Sequence, residues 1–207
     1  WIRLAASGAR IATRMLASGL WGRPSPLRPP KNIAKLASML IAPAIVALGA
    51  RLSVRSVRGE REAPLPAFYN DDGVNHTNLA RDEIITAVIV PPARVRTLFV
   101  KAAARTGLDY GYGTLAAAVT GSNKAIRSAR LVAGSVGSWP VTLERAGQII
   151  VERGLNPAAI EAAGEATRED LGEVANLFSP PGYKKRLVHG LVVQVLEQLR
   201  RIKPGTG

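Results

Sequence analysis

Residues 110–135, YGYGTLAAAVTGSNKAIRSARLVAGS, hold two β-rich runs around a single turn. Tyr110–Thr120 and Ile126–Ser135 read as strands, and Gly121-Ser122-Asn123-Lys124 between them reads as the turn of a β-hairpin. Leu98–Ala104, just upstream, is a third strand-like run. Downstream the apolar period lengthens: Val141–Arg153 and Pro157–Glu173 read as helices, the second opened by Asn156 as N-cap and Pro157 in its first turn. After Ser179-Pro180-Pro181-Gly182, residues Leu187, Val188, Leu191, Val192, Val195, Leu196, Leu199 and Ile202 keep helical spacing for about four turns. Strands followed by helices predict an α+β domain, an antiparallel sheet with a helical layer packed on it.

Working towards the N-terminus, Glu83–Val90 (EIITAVIV) is a β-branched strand ended by Pro91-Pro92. Gly59–Arg81, rich in Pro, Asn, Asp and Gly, reads as a loop, and Arg51–Arg58 as a half-buried strand. Pro43 suits the first turn of a short helix that Gly49 stops. These signals divide the chain into a basic segment 1–40, a unit 41–92, and a C-terminal α+β domain 93–207. There is no internal repeat.

Composition narrows the function classes. The chain has 207 residues, 47% hydrophobic and 21% charged, which excludes collagen, a coiled coil and wholesale disorder. The longest uncharged apolar stretch, Leu36–Ala50, is shorter than the ~20 residues of a membrane span and holds Pro43 mid-way. Having no cysteine, the chain cannot itself carry a disulfide, a zinc–thiolate site or an iron–sulfur cluster. The net charge of +13 suggests nucleic acid, but ten of the 28 basic residues and none of the 15 acids fall in residues 1–58, which leaves the remainder at only +3. That is a compositional step rather than a basic face, and it argues against a nucleic-acid binder. Residues 1–30, rich in Arg, Ala, Gly, Pro and Ser, admit three readings: a transit-like segment, a fragment or altered reading frame of a longer chain, or a basic arm.

Few residues offer chemistry. The two histidines, His76 and His189, lie far apart; His76 reads as a residue ordering the Asp71-Asp72-Gly73 turn, and His189 as a helix-surface residue beside Lys184, Lys185 and Arg186. Neither pattern makes a metal site, and no catalytic trio is present. The densest run is Phe99–Gly113, where Lys101, Arg105 and Asp109 recur at steps of four and Gly111 and Gly113 permit close approach of another group. On spacing alone it is also an exposed turn with a local Arg105–Asp109 ion pair, and a GxG outside a strand–helix context is weak evidence for a nucleotide.

Several motifs together point further. Asp82-Glu83-Ile84-Ile85-Thr86-Ala87-Val88-Ile89-Val90-Pro91, then Lys101-x3-Arg105-x3-Asp109-Tyr110, resemble the FAD-binding medium subunit of the molybdenum hydroxylases, the xanthine dehydrogenase and carbon monoxide dehydrogenase relatives. Arg130–Val136 with Pro140-Val141 is similar to that family's A-x-G-x-V…P strand and turn. Asn176-Leu177-Phe178 and Gly182-Tyr183-Lys184-Lys185-Arg186-Leu187-Val188 resemble its closing helix. The Tyr69-Asn70-Asp71-Asp72-Gly73 loop is most similar to the 4-hydroxybenzoyl-CoA reductase branch.

The resemblance implies the second lobe of a PCMH-type FAD-binding domain followed by a CO-dehydrogenase-flavoprotein-like domain. It implies an electron-transfer flavoprotein subunit of a cytoplasmic heteromeric complex rather than a complete enzyme, passing electrons between iron–sulfur clusters and an external acceptor. Molybdopterin would sit on a large partner subunit and [2Fe–2S] clusters on a small one. Ile85 would pack near the flavin ring and Lys101 beside it, where a cation stabilises the reduced flavin; Arg105 and Asp109 would cover the same face. Asn32 would be the surviving member of a Gly-Gly-Asn motif whose glycines are replaced by Pro30 and Lys31. The family's Gly-rich pyrophosphate loop has no counterpart in the sequence, so the alternative reading is a flavin-free subunit that keeps the fold and holds partners together.

Overall fold

The structure, a computed structural model, describes residues 41–72, 74–92, 94–104, 111–172 and 180–202. Among the described residues it is an α+β fold of two antiparallel sheets and four α-helices, with a short 3-10 helix at Leu65–Phe68. A short helix α1 (Ala42–Ala47), with Pro43 in its first turn and Gly49 at φ +75° just past its end, leads into β1 (Arg51–Ser56). β1 is the centre of a three-stranded sheet, flanked by β2 (Gly59–Pro64) and β3 (Ile84–Ile89).

β2 is a correction to the sequence reading, which gave residues 59–64 to a loop. GEREAP has no apolar alternation to reveal a strand; the pairing is instead made between charges. Arg51 and Arg55 on β1 reach Glu62 and Glu60 on β2 at 3.4 and 3.3 Å, and Arg58 reaches Asp82 at 2.7 Å. The last three basic residues of the acid-free segment are thus matched by acids that come later in the chain. Arg61 on β2 donates from Nε and Nη2 to both carboxylate oxygens of Glu83 (2.7 and 2.8 Å) and lies 5.0 Å over the Phe68 ring. Glu83 also accepts from the Ala80 amide at 2.9 Å. The Arg61 hydrogen bonds, helped by that amide, hold the Glu83 carboxyl at about 2.

The second sheet runs β4 (Arg96–Ala102), β5 (Gly113–Ser122), β6 (Ala125–Gly134) and β7 (Val141–Thr142) in that spatial order. The β5–β6 hairpin is the one expected from the sequence. Val141 and Thr142, read as the start of a helix, instead pair with Ala133 and Val132, and the Leu143 amide donates to the Leu131 carbonyl at 2.8 Å. The helix therefore begins only at Glu144. α2 (Glu144–Arg153), α3 (Pro157–Asp170) and α4 (Tyr183–Arg201) follow. Asn156 caps α3 as expected, its side chain accepting from the Ala159 amide at 2.9 Å.

Strand alternation gives β5 and β6 two buried faces. Leu115, Ala117, Val119, Leu131 and Ala133 join the main core with the inner faces of α2, α3 and α4. Ala116, Ala118 and Val132 point the other way, into a second core with Val46, Leu52, Val54, Leu65 and Phe68. Methyl-sized side chains on that face of β5 let the first lobe approach the sheet closely.

Arg96 ties the far end together. Its guanidinium, 7% exposed, donates to Asn123 Oδ1 (2.6 Å) and to the carbonyls of Leu199 (3.1 Å), Ile202 (3.2 Å) and Gly121 (3.1 Å). A cation here adds a donor to the carbonyls at the end of α4, where the Leu199 carbonyl otherwise accepts from the Ile202 amide at 3.2 Å, and it sits at the negative end of the helix dipole.

Candidate functional site

At the opposite end of the second sheet, the strand registers align Lys101, Thr114 and Gly134 in one cross-strand row. Thr114 shares its face with Ala116 and Ala118, so the row lies on the side that carries α1. A Cβ at Gly134 would stand 2.5 Å from both the Pro43 ring and Thr114 Oγ1, so only glycine lets α1 sit on the row. Thr114 is fully buried, and its hydroxyl has no hydrogen-bond partner. At Gly111, a Cβ would meet the Lys101 side chain at 3.0 Å and the Thr114 methyl at 3.3 Å; the Tyr112 amide here donates to the Ala102 carbonyl at 2.7 Å. The glycine lets the chain fold back against β4 immediately after residues 105–110.

Lys184, in the first turn of α4, anchors this corner. Its ammonium donates to the carbonyls of Tyr112 and Ser135, the latter at 2.9 Å. Burial lowers its pKa. Ser135 is held at φ +62° with its hydroxyl buried and unpartnered; this is an uncommon conformation for a side-chain-bearing residue. One buried cation thus pins both the exit of segment 105–110 and the end of β6.

Of the residues singled out from the sequence, Lys101 stands in this row. Ile85 lies on β3, the edge of the first sheet, half-buried against the second core; Phe99, two residues before Lys101 on β4, packs against the same core. Asn32, Arg105, Asp109 and the 176–178 motif lie outside the described residues. The Asp72 carboxylate orders its turn, accepting from the amides of Val74 (2.7 Å) and Asn75 (3.1 Å), which lower its pKa, while the His76 carbonyl accepts from the Asn70 amide at 3.1 Å. His189 is not on a free helix surface but faces Glu161 and Glu165 of α3.

Sequence reasoning missed Thr114 and Lys184. Thr114 was visible only as a lone hydroxyl leading an alanine run, with no sign of what would oppose it. Lys184 had a better signal, because it continues the buried stripe of Val188, Leu191 and Val195 backwards by one turn. A lysine at a core position implies carbonyl partners.

Two family descriptions match the chain in succession: "FAD binding domain in molybdopterin dehydrogenase" over residues 34–93 and "CO dehydrogenase flavoprotein C-terminal domain" over residues 99–199. The chain belongs to the FAD-subunit family of the molybdenum hydroxylases. It is 29% identical to the nicotinate dehydrogenase FAD-subunit of Eubacterium barkeri, across 75% of this chain and 55% of that one. It is 28% identical to the nicotine 6-hydroxylase medium subunit of Paenarthrobacter nicotinovorans, across 74% and 52%. Its fold resembles quinoline 2-oxidoreductase from Pseudomonas putida 86 (TM-score 0.69, 20% identity, 81% of this chain and 59% of that one). It also resembles reconstituted CO dehydrogenase from Oligotropha carboxidovorans (TM-score 0.66, 22% identity, 75% and 54%). The chain spans about half the length of the curated relatives it matches.

The described part of the chain fits one end of a flavin better than the other. Lys101 is the side chain of this row that could meet a planar, hydrogen-bonding ring, because Thr114 and Gly134 are covered by α1. A pyrophosphate needs backbone amides presented by closely spaced glycines, and no such loop opens a helix among the described residues.

Proposed function

We propose that this chain forms one wall of an FAD site in a cytoplasmic molybdenum hydroxylase complex, facing the ring end of the cofactor. The carrying observation is Lys101 near the end of β4, at a corner fixed by α1 packed over Thr114 and Gly134 and braced by Lys184. Bound FAD would supply the capacity to take electrons from iron–sulfur clusters on a small partner subunit and pass them to an external acceptor. Molybdopterin and the organic substrate would belong to a large partner subunit. Within this chain, Lys101 would place a positive charge beside the ring, Ile85 would give it an apolar contact, and Arg105 and Asp109 would cover the exposed face. Asn32 would be the remaining contact towards the phosphates. Family membership and the row's chemistry support this reading.

The test is Lys101→Ala in the assembled complex. Losing a charged hydrogen bond costs about 1.5–3 kcal/mol, so flavin affinity should fall about 10–100-fold, or the flavin's reduction potential should drop. Unchanged flavin content and potential would refute the role of Lys101. Among the described residues no Gly-rich loop opens a helix, which favours a second reading, a flavin-free subunit that keeps the fold and joins its partners. An assembled complex whose extracted cofactors include no flavin would establish it.

A further inference from the structure

On the helical layer, remote from the Lys101 row, three potential metal ligands converge. Glu161 and Glu165 stand one turn apart on α3, and His189 projects from α4 between them. Its Nε2 lies 3.4 Å from Glu161 Oε1 and its Nδ1 3.4 Å from Glu165 Oε1. One ligand atom from each of the three falls within 4.8 Å of the others.

Ligands bound at about 2.1 Å to a tetrahedral cation lie about 3.4 Å apart; each ring nitrogen has one carboxylate oxygen at that distance, and with one ligand atom per residue already within 4.8 Å, a side-chain adjustment would bring both carboxylates to a single nitrogen's cation. Two carboxylates at i,i+4 repel each other unless a cation lies between them. The imidazole adds to this: Nδ1 is shielded from solvent, and its 3.4 Å approach to Glu165 Oε1 does not have hydrogen-bond geometry. Gly164 makes the arrangement possible, since a Cβ there would press on the ring at 3.2 Å. Arg168 engages Glu165 through Oε2 at 3.2 Å and leaves Oε1 to the histidine side. Imidazole with two carboxylates suits zinc and its neighbours in the first transition series; magnesium prefers oxygen alone.

We propose that Glu161, Glu165 and His189 form a site for a divalent transition-metal cation, with zinc the representative ion, that brackets α3 to α4. Both carboxylates would coordinate through one oxygen and His189 through one ring nitrogen, with water completing the shell. The site is independent of the flavin reading, because none of its residues touches the Lys101 corner.

The experiment is calorimetric titration of Zn2+ into the chelator-stripped full chain near neutral pH, paired with thermal melts. One saturable zinc per chain and a zinc-dependent rise in melting temperature are expected. His189→Ala should weaken binding at least about tenfold, the loss typical even of residues that only support metal ligands. Glu161→Gln and Glu165→Gln, both at exposed positions, should weaken it likewise while the chain stays folded by circular dichroism. His76→Ala, removing the only other imidazole, should change nothing, and Mg2+ should not substitute. No saturable heat, or wild-type affinity in His189→Ala, would overturn the proposal. So would a zinc-insensitive melt that the glutamine variants nevertheless lower, which would assign the trio to a plain histidine–carboxylate bridge.

Discussion

Replacing Arg96 with methionine keeps most of the side-chain volume and removes the four hydrogen bonds that join β4 to the hairpin turn and the end of α4. The bond to the Leu199 carbonyl is fully buried, but that carbonyl keeps the Ile202 amide at 3.2 Å, so its loss costs about 0.5–1.5 kcal/mol. The Ile202 and Gly121 carbonyls lie nearer the rim, where water replaces part of what is lost, at about 0.5–1 kcal/mol each. Loss of a cation at the C-terminal end of α4 adds about 0.3–1 kcal/mol. Opposing these is relief of desolvation: burial lowers the Arg96 pKa, which shows that the charged form is penalised where it sits. The net loss is about 2 kcal/mol, or about 4–8 °C in melting temperature for a chain of this size. Urea unfolding of Arg96→Met should show a lower midpoint with an unchanged slope. Arg96→Lys, which keeps the charge without the planar fork, should recover about half. If Arg96→Met lost less than about 1 kcal/mol, the guanidinium would be repaying no more than its own burial, and the reasoning would fail.

Glu83 sets an acid limit. Its carboxyl is held at about 2, below the ordinary range, so the stabilisation is complete above about 4.5 and drains away as pH falls towards 2. The melting temperature of Glu83→Gln should accordingly start lower at neutral pH and fall less steeply than wild type across that window. Residues 93–207 should fold alone with a cooperative thermal transition, because every residue of the main core lies within them. That fragment should be less stable than the full chain, having lost the cover over Ala116, Ala118 and Val132; a featureless melt would refute the boundary at Pro91-Pro92. FAD titrated into the isolated chain should bind at about millimolar affinity or weaker, since a few ring contacts must overcome an association cost of about 4–15 kcal/mol. Submicromolar quenching of flavin fluorescence would reveal a phosphate site that the sequence conceals.

Where the fold was readable in the sequence, the signal was local. The β5–β6 hairpin announced itself by two β-rich runs around a Gly-Ser-Asn-Lys turn, α4 by its apolar stripe, and α3 by Asn156-Pro157. β2 escaped because its pairing is written in charges whose partners sit on neighbouring strands. Val141 and Thr142 escaped because two residues carry no period, and only their partners on β6 make them a strand. The site divides in the same way. Lys101 was found through its resemblance to a family pattern, whereas Thr114 emerged only from the register that places it opposite Lys101. Arg96 and the Glu161–Glu165–His189 trio depend on contacts between segments far apart in the chain, which no local spacing encodes.

The double-faced burial of β5 and β6 also has a mechanical meaning. Pro91-Pro92 looks like a hinge between two lobes, but turning about it would peel Val46, Leu52 and Phe68 away from Ala116, Ala118 and Val132 and expose both surfaces to water. The connection is therefore locked by the layers on either side of it, and the Pro43 ring seated over Gly134 acts as a detent. Separating the two lobes would expose apolar surface on both of them, whereas moving a surface loop would not.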